Sequence, residues 1–477
     1  MILKTTAALA LAGAGQILAG IVPGYTLIPV GSTTILMDEA GKTVKSWAKG
    51  GYNAYLTKSG TLLCQTGTGN APATGYASLI ELDGTTQKDN ALTNSGLHHA
   101  HWLMPNGHWL GTVAVKINPK TALASAGYTG TMTSIWDERI QEWDPVTKTV
   151  VWEWKASDHT SGTNHPRKIN SNTLLKSTDP IHINSVVYDS ARDLISMSSH
   201  YFNEVLVIDH STTTAQAATG TGGKYGKGGD FLFRWGSSKN YGGPGAAYSN
   251  VVHGGGVIQA GLPGAGNFTL FGNTDNTVKH SRWYEVAGKI SDTGYVIGAN
   301  GEFEATLVFD FYSTSGTFES SGHFGYGQRL ANGNTFLTFT GSNKLIEIDA
   351  NKTILDTITV ASSGGGGMGG MGGCIRAIRY PMGHPALVAL GLSTSGVEAK
   401  GTGNALDLTA TADRIVLNGL ALGSRVRILD AKGNLRFETS SANPRMDIST
   451  SSWTNGTYVA QVVGNGTASS RTFALTR

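Results

Sequence analysis

Charge is scarce in this chain. Asp, Glu, Lys and Arg make up only 14% of its 477 residues, against ~25% in soluble proteins generally. The formal net charge of +3 is too small to argue for nucleic acid or an anionic membrane as partner, and no basic block stands out. Cysteine is nearly absent, with Cys64 and Cys374 alone. A bridge between them would join the first and last parts of the main domain; two buried thiols are an equal alternative. No run of about 20 apolar residues follows the N-terminal segment, so no transmembrane helix is expected. There is no Walker A sequence and no Rossmann fingerprint in a βαβ setting, so a nucleotide donor has no visible cradle. His253-Gly254-Gly255-Gly256 is like the oxyanion segment of some lipases, but no G-x-S-x-G elbow accompanies it.

What is present in quantity is glycine, 65 residues, set among short Val/Ile/Leu/Trp runs and Asx-Gly pairs. That pattern reads as an all-β protein with many turns. The first residues, MILKTTAALALAGAGQILAG, read as a secretory signal peptide over 1–20, with a buried N-terminal strand or helix as the alternative. A secreted or cell-surface protein follows from the first reading, or else a periplasmic one.

Two phrases recur. ILMDEAGKTVKSW (35–47), IQEWDPVTKTVVWEW (140–154) and LIEIDANKTILDTITV (345–360) each read as a β-hairpin: alternating apolar residues, a polar turn, a second alternating run. Between them stand strand–turn–strand phrases: YLTKSGTLLCQT, HWLMPNGHWLGTV, NSVVYDSARDLISMSS, VIQAGLPGAGNFTLFGN and QRLANGNTFLTFTG, with a divergent sixth in IRAIRYPMGHPALVAL. Recurring four-stranded units predict a six-bladed β-propeller over 21–392, with two β-sandwiches in series as the runner-up. The run SSGGGGMGGMGG (362–373) reads as a surface loop. From 393 to 477 the chain is rich in Ser, Thr and Asn and has no histidine, which predicts a small C-terminal β-sandwich.

All thirteen histidines lie between His98 and His384, so any chemistry belongs to the propeller. Aligned on the apolar strand that follows, His99, His182 and His253 occupy one slot in three repeats, each four residues before an apolar position. His101, Asn184 and Gly255 fall two residues further on, on the same strand face if the strand is regular. The fifth repeat has Tyr326 where a histidine would fall. If these strands are innermost, three imidazoles enter one axial channel. They could hold zinc, copper or iron, although no carboxylate triad or cysteine ligand stands near the HHAH stretch. They could instead carry a group through a covalent histidine intermediate, with a second imidazole as general acid.

The ordered segments HHAHWLMPNGHWL, RIQEWDPVTKTVVWEW, DPIHINSVVYDSARDLISMSSH, GDFLFRWGSSKNYGG, VVHGGGVIQAGLPGAGNFTLFGN and GQRLANGNTFL resemble those of the bacterial aryl-sulfate sulfotransferases, which are secreted six-bladed propellers. The resemblance implies PAPS-independent transfer of a sulfuryl group from an aryl sulfate donor to a phenol acceptor through a sulfohistidine, with no nucleotide or metal cofactor. It implies His253 as the nucleophile, His99 and His182 beside it as catalytic residues, and Asn184, His200, His98 and His101 as substrate-binding residues. The chain departs from the family pattern at His200, where the family has arginine, at Ala100, where it has an acid, and at Val252, where it has glutamine. Histidine is charged only part of the time near neutral pH, so any stabilisation from His200 should fade as pH rises through its pKa. These departures set a second expectation beside the first: a non-catalytic surface propeller that binds and no longer reacts. A hydrolase would differ only in using water as acceptor. The terminal region, VRILDAKGNL followed by MDIS and WTNGTYVAQV, resembles type IX secretion sorting domains, which implies the secretion machinery as a partner.

Overall fold

A computed structural model describes residues 21–476, apart from 31–32, 40, 51–52, 67–74, 92–95, 313–320, 361–375, 393–406, 421, 432–433 and 465–466. The expected signal peptide (1–20), the glycine-rich loop, Cys374 and the boundary at 392/393 therefore involve residues outside those described; Cys64 itself is buried.

Six four-stranded antiparallel sheets account for the described residues from Gly24 to Pro381 that form the main body. In each, one strand opens an up-and-down meander, and these six leading strands are labelled here β1 (Ala54–Leu56), β2 (Leu97–Leu103), β3 (Ile183–Asp189), β4 (Ser249–Val257), β5 (Tyr326–Arg329) and β6 (Ile378–Pro381). The strand–turn–strand phrases form the first two strands of five sheets, and the hairpin phrases form outer pairs such as Ile135–Asp144 with Thr149–Lys155. The sixth phrase behaves differently. Only β6 forms, and the chain then enters a helix at Pro385–Ala389, capped by His384 Nδ1 on the Ala386 amide at 3.2 Å. Proline at the first helical position has no N–H to leave unsatisfied, which favours a helix over a returning strand.

The strand that β6 lacks comes from the other end of the chain. β6 pairs antiparallel with Gly24–Val30, so the N-terminal strand completes the last sheet. Strands β2 and β3 lie side by side, as do β3 and β4, and β4 and β5. The fifth sheet reaches the sixth through Gln328, whose side chain donates to the Arg379 carbonyl at 3.0 Å and accepts from the Arg379 amide at 2.8 Å, and the sixth reaches the first through the Tyr380 hydroxyl, which accepts from the Leu56 amide at 2.8 Å. The arrangement is propeller-like. Its core is correspondingly distributed between neighbouring sheets: Leu110 and Ile140 meet Val186 and Ile195, and Phe271 and Trp283 meet Leu337 and Ile346. One buried ion pair, Arg234 bidentate on Glu204 at 2.7 and 2.9 Å, accounts for the arginine of the FRWG phrase.

Residues 407–475 contribute a three-stranded and a four-stranded antiparallel sheet around a separate apolar cluster that includes Ile415, Ile428, Ala460 and Phe473. No helix among the described residues is long and apolar enough to cross a membrane.

Closure of the ring depends on the Gly24–Val30 strand. Leu27 is fully buried in the cluster that contains Ile378 and Tyr380. Leu27→Ala is expected to lower the free energy of unfolding by about 2–5 kcal/mol, measured by urea denaturation; a change below about 0.5 kcal/mol would mean that this strand does not clamp the ring.

Candidate functional site

The leading strands are irregular where the histidines lie. β2 slips register between Leu97 and His101, β3 between Ile183 and Ser185, and β4 between His253 and Gly256. His99 and His182 have φ of +63° and +52°, whereas in β4 positive φ falls on Val251 at +61° and on Gly254 at +55°, on either side of His253. Such bulges re-aim side chains, and non-glycine residues at positive φ are strained positions that the surrounding structure must hold. The expected regular alternation from His182 to Asn184 is corrected accordingly: Asn184 is the extra residue of a bulge. The glycines after His253 serve close approach of backbone. A Cβ on Gly255 would lie 2.6 Å from Ser198 Cβ, and one on Gly254 would lie 2.6 Å from the Gly325 carbonyl oxygen.

Five imidazoles gather at these irregularities. Ring centroids run His98–His99 4.4 Å, His99–His182 4.6 Å, His182–His200 5.0 Å and His200–His253 5.4 Å, with His98 also 4.7 Å from His182. His101 stands apart from this chain, fully buried with its ring 5.4 Å from Tyr55. Other histidines are held in carboxylate contacts elsewhere, as His159 is by Asp230 and His210 by Glu142 and Asp193.

The partners of the gathered rings define their protons. His253 Nδ1 lies 2.7 Å from Asn273 Oδ1. Asn273 spends its amide hydrogens on the carbonyls of Ser321 and Phe324, at 2.5 and 2.7 Å, so the side facing His253 is an acceptor. Nδ1 must therefore carry the proton, which leaves a lone pair on Nε2. Burial, reinforced by the His200 ring, holds the His253 pKa well below the ordinary histidine value. The ring is thus neutral and nucleophilic at pH 7.

His182 Nδ1 and Asp179 Oδ2 are 2.5 Å apart, and His98 Nδ1 and Glu138 Oε1 are also 2.5 Å apart. Burial works against charge on His98, yet Glu138, aided by Asp179, raises its pKa. The carboxylates that the HHAH stretch lacks locally thus arrive from distant residues. His98, His99 and His182 offer ring nitrogens within 4.8 Å of one another, and His98, Glu138 and Asp179 form a second such group. Either set could hold a metal; a carboxylate on Nδ1 orients a metal ligand and a catalytic imidazole equally well. Asn184 bridges sheets, donating to the Val252 carbonyl and accepting from Ser198 Oγ, both at 2.7 Å.

His200 differs from the part-time cation expected at its position. Burial, then the neighbouring His182, pushes its pKa down to about 3. It is a neutral ring throughout the physiological range. The cation that the sequence reading sought at position 200 has a counterpart that it missed: Arg376, only 4% exposed, just before β6. Together with Asn53, His99, Asn184, His253 and Tyr326 it lines a pocket that opens to solvent. The only advance signal for Arg376 was its place at the start of the divergent sixth phrase.

Burial also depresses the pKa of His99; at His101 burial, with Arg376 second, pushes it down to about 3. A group whose folded pKa lies below its unfolded value of about 6.5 takes up protons on unfolding. Stability is then lost as pH falls below about 6.5 and recovered as pH rises. Buried acids held above their usual range, Asp137 at about 6 among them, offset part of this loss. His101→Gln removes one such imidazole. Relative to wild type, it is expected to lessen the loss of unfolding free energy between pH 6 and pH 5 by up to about 1.4 kcal/mol, measured by urea denaturation at both pH values. An unchanged loss would show that His101 is not held neutral.

Residues 29–234 match the family model Arylsulfotransferase (ASST). The matched span includes His98, His99, His101, His182, Asn184 and His200 and stops before His253 and Arg376. No curated protein matches the chain. Among solved structures, the chain is similar to a protein of unknown function from Bacteroides caccae, at 11% identity, covering 71% of this chain and 94% of that one with a TM-score of 0.41. It is similar to Kuenenia stuttgartiensis hydrazine synthase at 10% identity, with 69% and 81% covered and a TM-score of 0.39. For virginiamycin B lyase from Staphylococcus aureus the identity is 11%, with 69% and 78% covered and a TM-score of 0.34. Likenesses at these scores carry no functional argument, and the comparison that bears on function is the arylsulfotransferase match over residues 29–234.

Proposed function

We propose that residues 21–392 form a six-bladed β-propeller whose axial pocket transfers a sulfuryl group from an aryl sulfate to a phenol through a sulfohistidine at His253. The observation that carries this reading is the Asn273–His253 bond, which fixes the lone pair on Nε2 in a buried neutral ring beside a pocket. In the first half-reaction Nε2 attacks sulfur, the S–O bond to the aryl group breaks, and the departing phenolate takes a proton. His182 is the donor assigned here, because Asp179 sits on its Nδ1 and its ring stands 4.6 Å from that of His99 and 5.0 Å from that of His200. In the second half-reaction a phenol oxygen attacks the same sulfur, gives its proton to His182, and the N–S bond breaks to restore His253. No step needs a nucleotide. The two sheets over 407–475, with their own core and no histidine, are on this reading an appended module for export or attachment.

Wild-type protein is expected to release a coloured phenol from a chromogenic aryl sulfate in the presence of a phenol acceptor. His253→Ala, with an unchanged circular dichroism spectrum, should lose about three orders of magnitude or more of that turnover. Full turnover in the variant would sink the assignment. Ligand binding by the wild type with no turnover across a panel of sulfate esters would identify a non-catalytic binding propeller.

A further inference from the structure

Arg376 is placed where few proteins leave an arginine. It is almost fully buried, and among the described residues the groups that act on its charge are the tyrosines Tyr326, Tyr55 and Tyr380, with no carboxylate among them. Its guanidinium stacks 3.8 Å from the Tyr326 ring and lies 5.2 Å from Tyr55 and 5.7 Å from Trp102. One long contact, Nη1 to Asn53 Oδ1 at 3.5 Å, is its hydrogen bond to a side-chain amide; the neutral Tyr55 and Tyr326 hydroxyls stand close enough to bear on its charge, but among the described residues Nε and Nη2 meet no acceptor in hydrogen-bond geometry. Aromatic faces attract a cation, but they supply no counter-charge. A guanidinium stays protonated under all ordinary conditions, and an unpaired buried charge is costly. The charge is kept in a pocket whose other lining side chains, His99 and His253 included, carry no permanent charge. The missing partner is therefore an anion that enters from solvent.

We propose that Arg376 is the anion-binding residue of this pocket and that its forked donors hold the oxygens of a sulfuryl group. The sulfuryl identity rests on the function proposed above; the anion site itself does not. Nε and Nη2 form one edge of a planar fork, suited to two oxygens of a tetrahedral oxyanion. Asn53 ties this residue to the reacting end, since its Nδ2 donates to the His99 carbonyl at 2.7 Å while its Oδ1 faces Arg376. The fixed cation that position 200 does not supply thus comes from the last sheet, across the pocket. A neutral aryl ester in place of the sulfate monoester would leave the guanidinium desolvated and unpaired, so Arg376 also selects for charged donors.

Inorganic sulfate is the probe. Titration calorimetry of the full chain should show one sulfate bound, in excess over chloride at equal ionic strength, with affinity reduced at least about tenfold in Arg376→Gln. If Arg376→Gln does not fold, Arg376→Met serves as the neutral variant, because an apolar isostere removes the unpaired charge without creating another. No sulfate binding by the wild type, or a loss below tenfold in a folded neutral variant, overturns the proposal. Chromogenic turnover separates the two claims. If the wild type transfers nothing while the sulfate affinities still differ tenfold, the anion site stands and the transferase reading falls. If the wild type turns over, Arg376→Gln should raise KM for the aryl sulfate.

Discussion

A single hydrogen bond sets the chemistry of the pocket. Asn273 is locked by two carbonyls and can only accept from His253, so the proton on that imidazole sits on Nδ1 and the lone pair on Nε2. Burial then keeps the ring neutral by disfavouring its charged form. A nucleophile at neutral pH needs both conditions. The surrounding rings share the second: His99 and His200 are also held neutral, while His182 and His98 stand against the carboxylates of Asp179 and Glu138. The site therefore separates by environment a neutral nucleophilic side from a side able to give and take protons.

This separation depends on the ring of sheets. His99, His182 and His253 come from three different sheets, the Asn273 carbonyl partners from the segment leading into a fourth, and Arg376 from the approach to β6. Closure by the Gly24–Val30 strand brings the last of these into place. The strain at His99 and His182 is held by bonds made across the same assembly. Asn53 holds the His99 carbonyl, and the His200 amide holds that of His182 at 3.0 Å.

Much of the body was legible in the sequence because strand alternation and polar turns are local signals. Phrases such as 140–154 and 345–360 gave hairpins where they stand. The convergence of His99, His182 and His253 was also legible, through their common position before an apolar strand, whereas His200 entered through the family resemblance alone. What escaped is non-local or irregular. Bulges displaced Asn184 and shifted the backbone slot at His253, which a period of two cannot foresee. Glu138, Asp179 and Asn273 act through pairings across bulges or between strands, and Asp179 and Asn273 stood unassigned inside quoted phrases. Arg376 was hidden because it opens the divergent sixth phrase, where no histidine of the repeated slot marks the strand as facing a site.

If the pocket works as proposed, His253 Nε2 becomes covalently sulfurylated. Mixing the protein briefly with an aryl sulfate in the absence of acceptor, followed by peptide mass spectrometry at alkaline pH, tests it most directly. One sulfuryl group is expected on the peptide containing His253, formed in step with a stoichiometric burst of phenol and discharged when a phenol acceptor is added. A sulfuryl group on another residue, or turnover with none trapped and no burst, would contradict it.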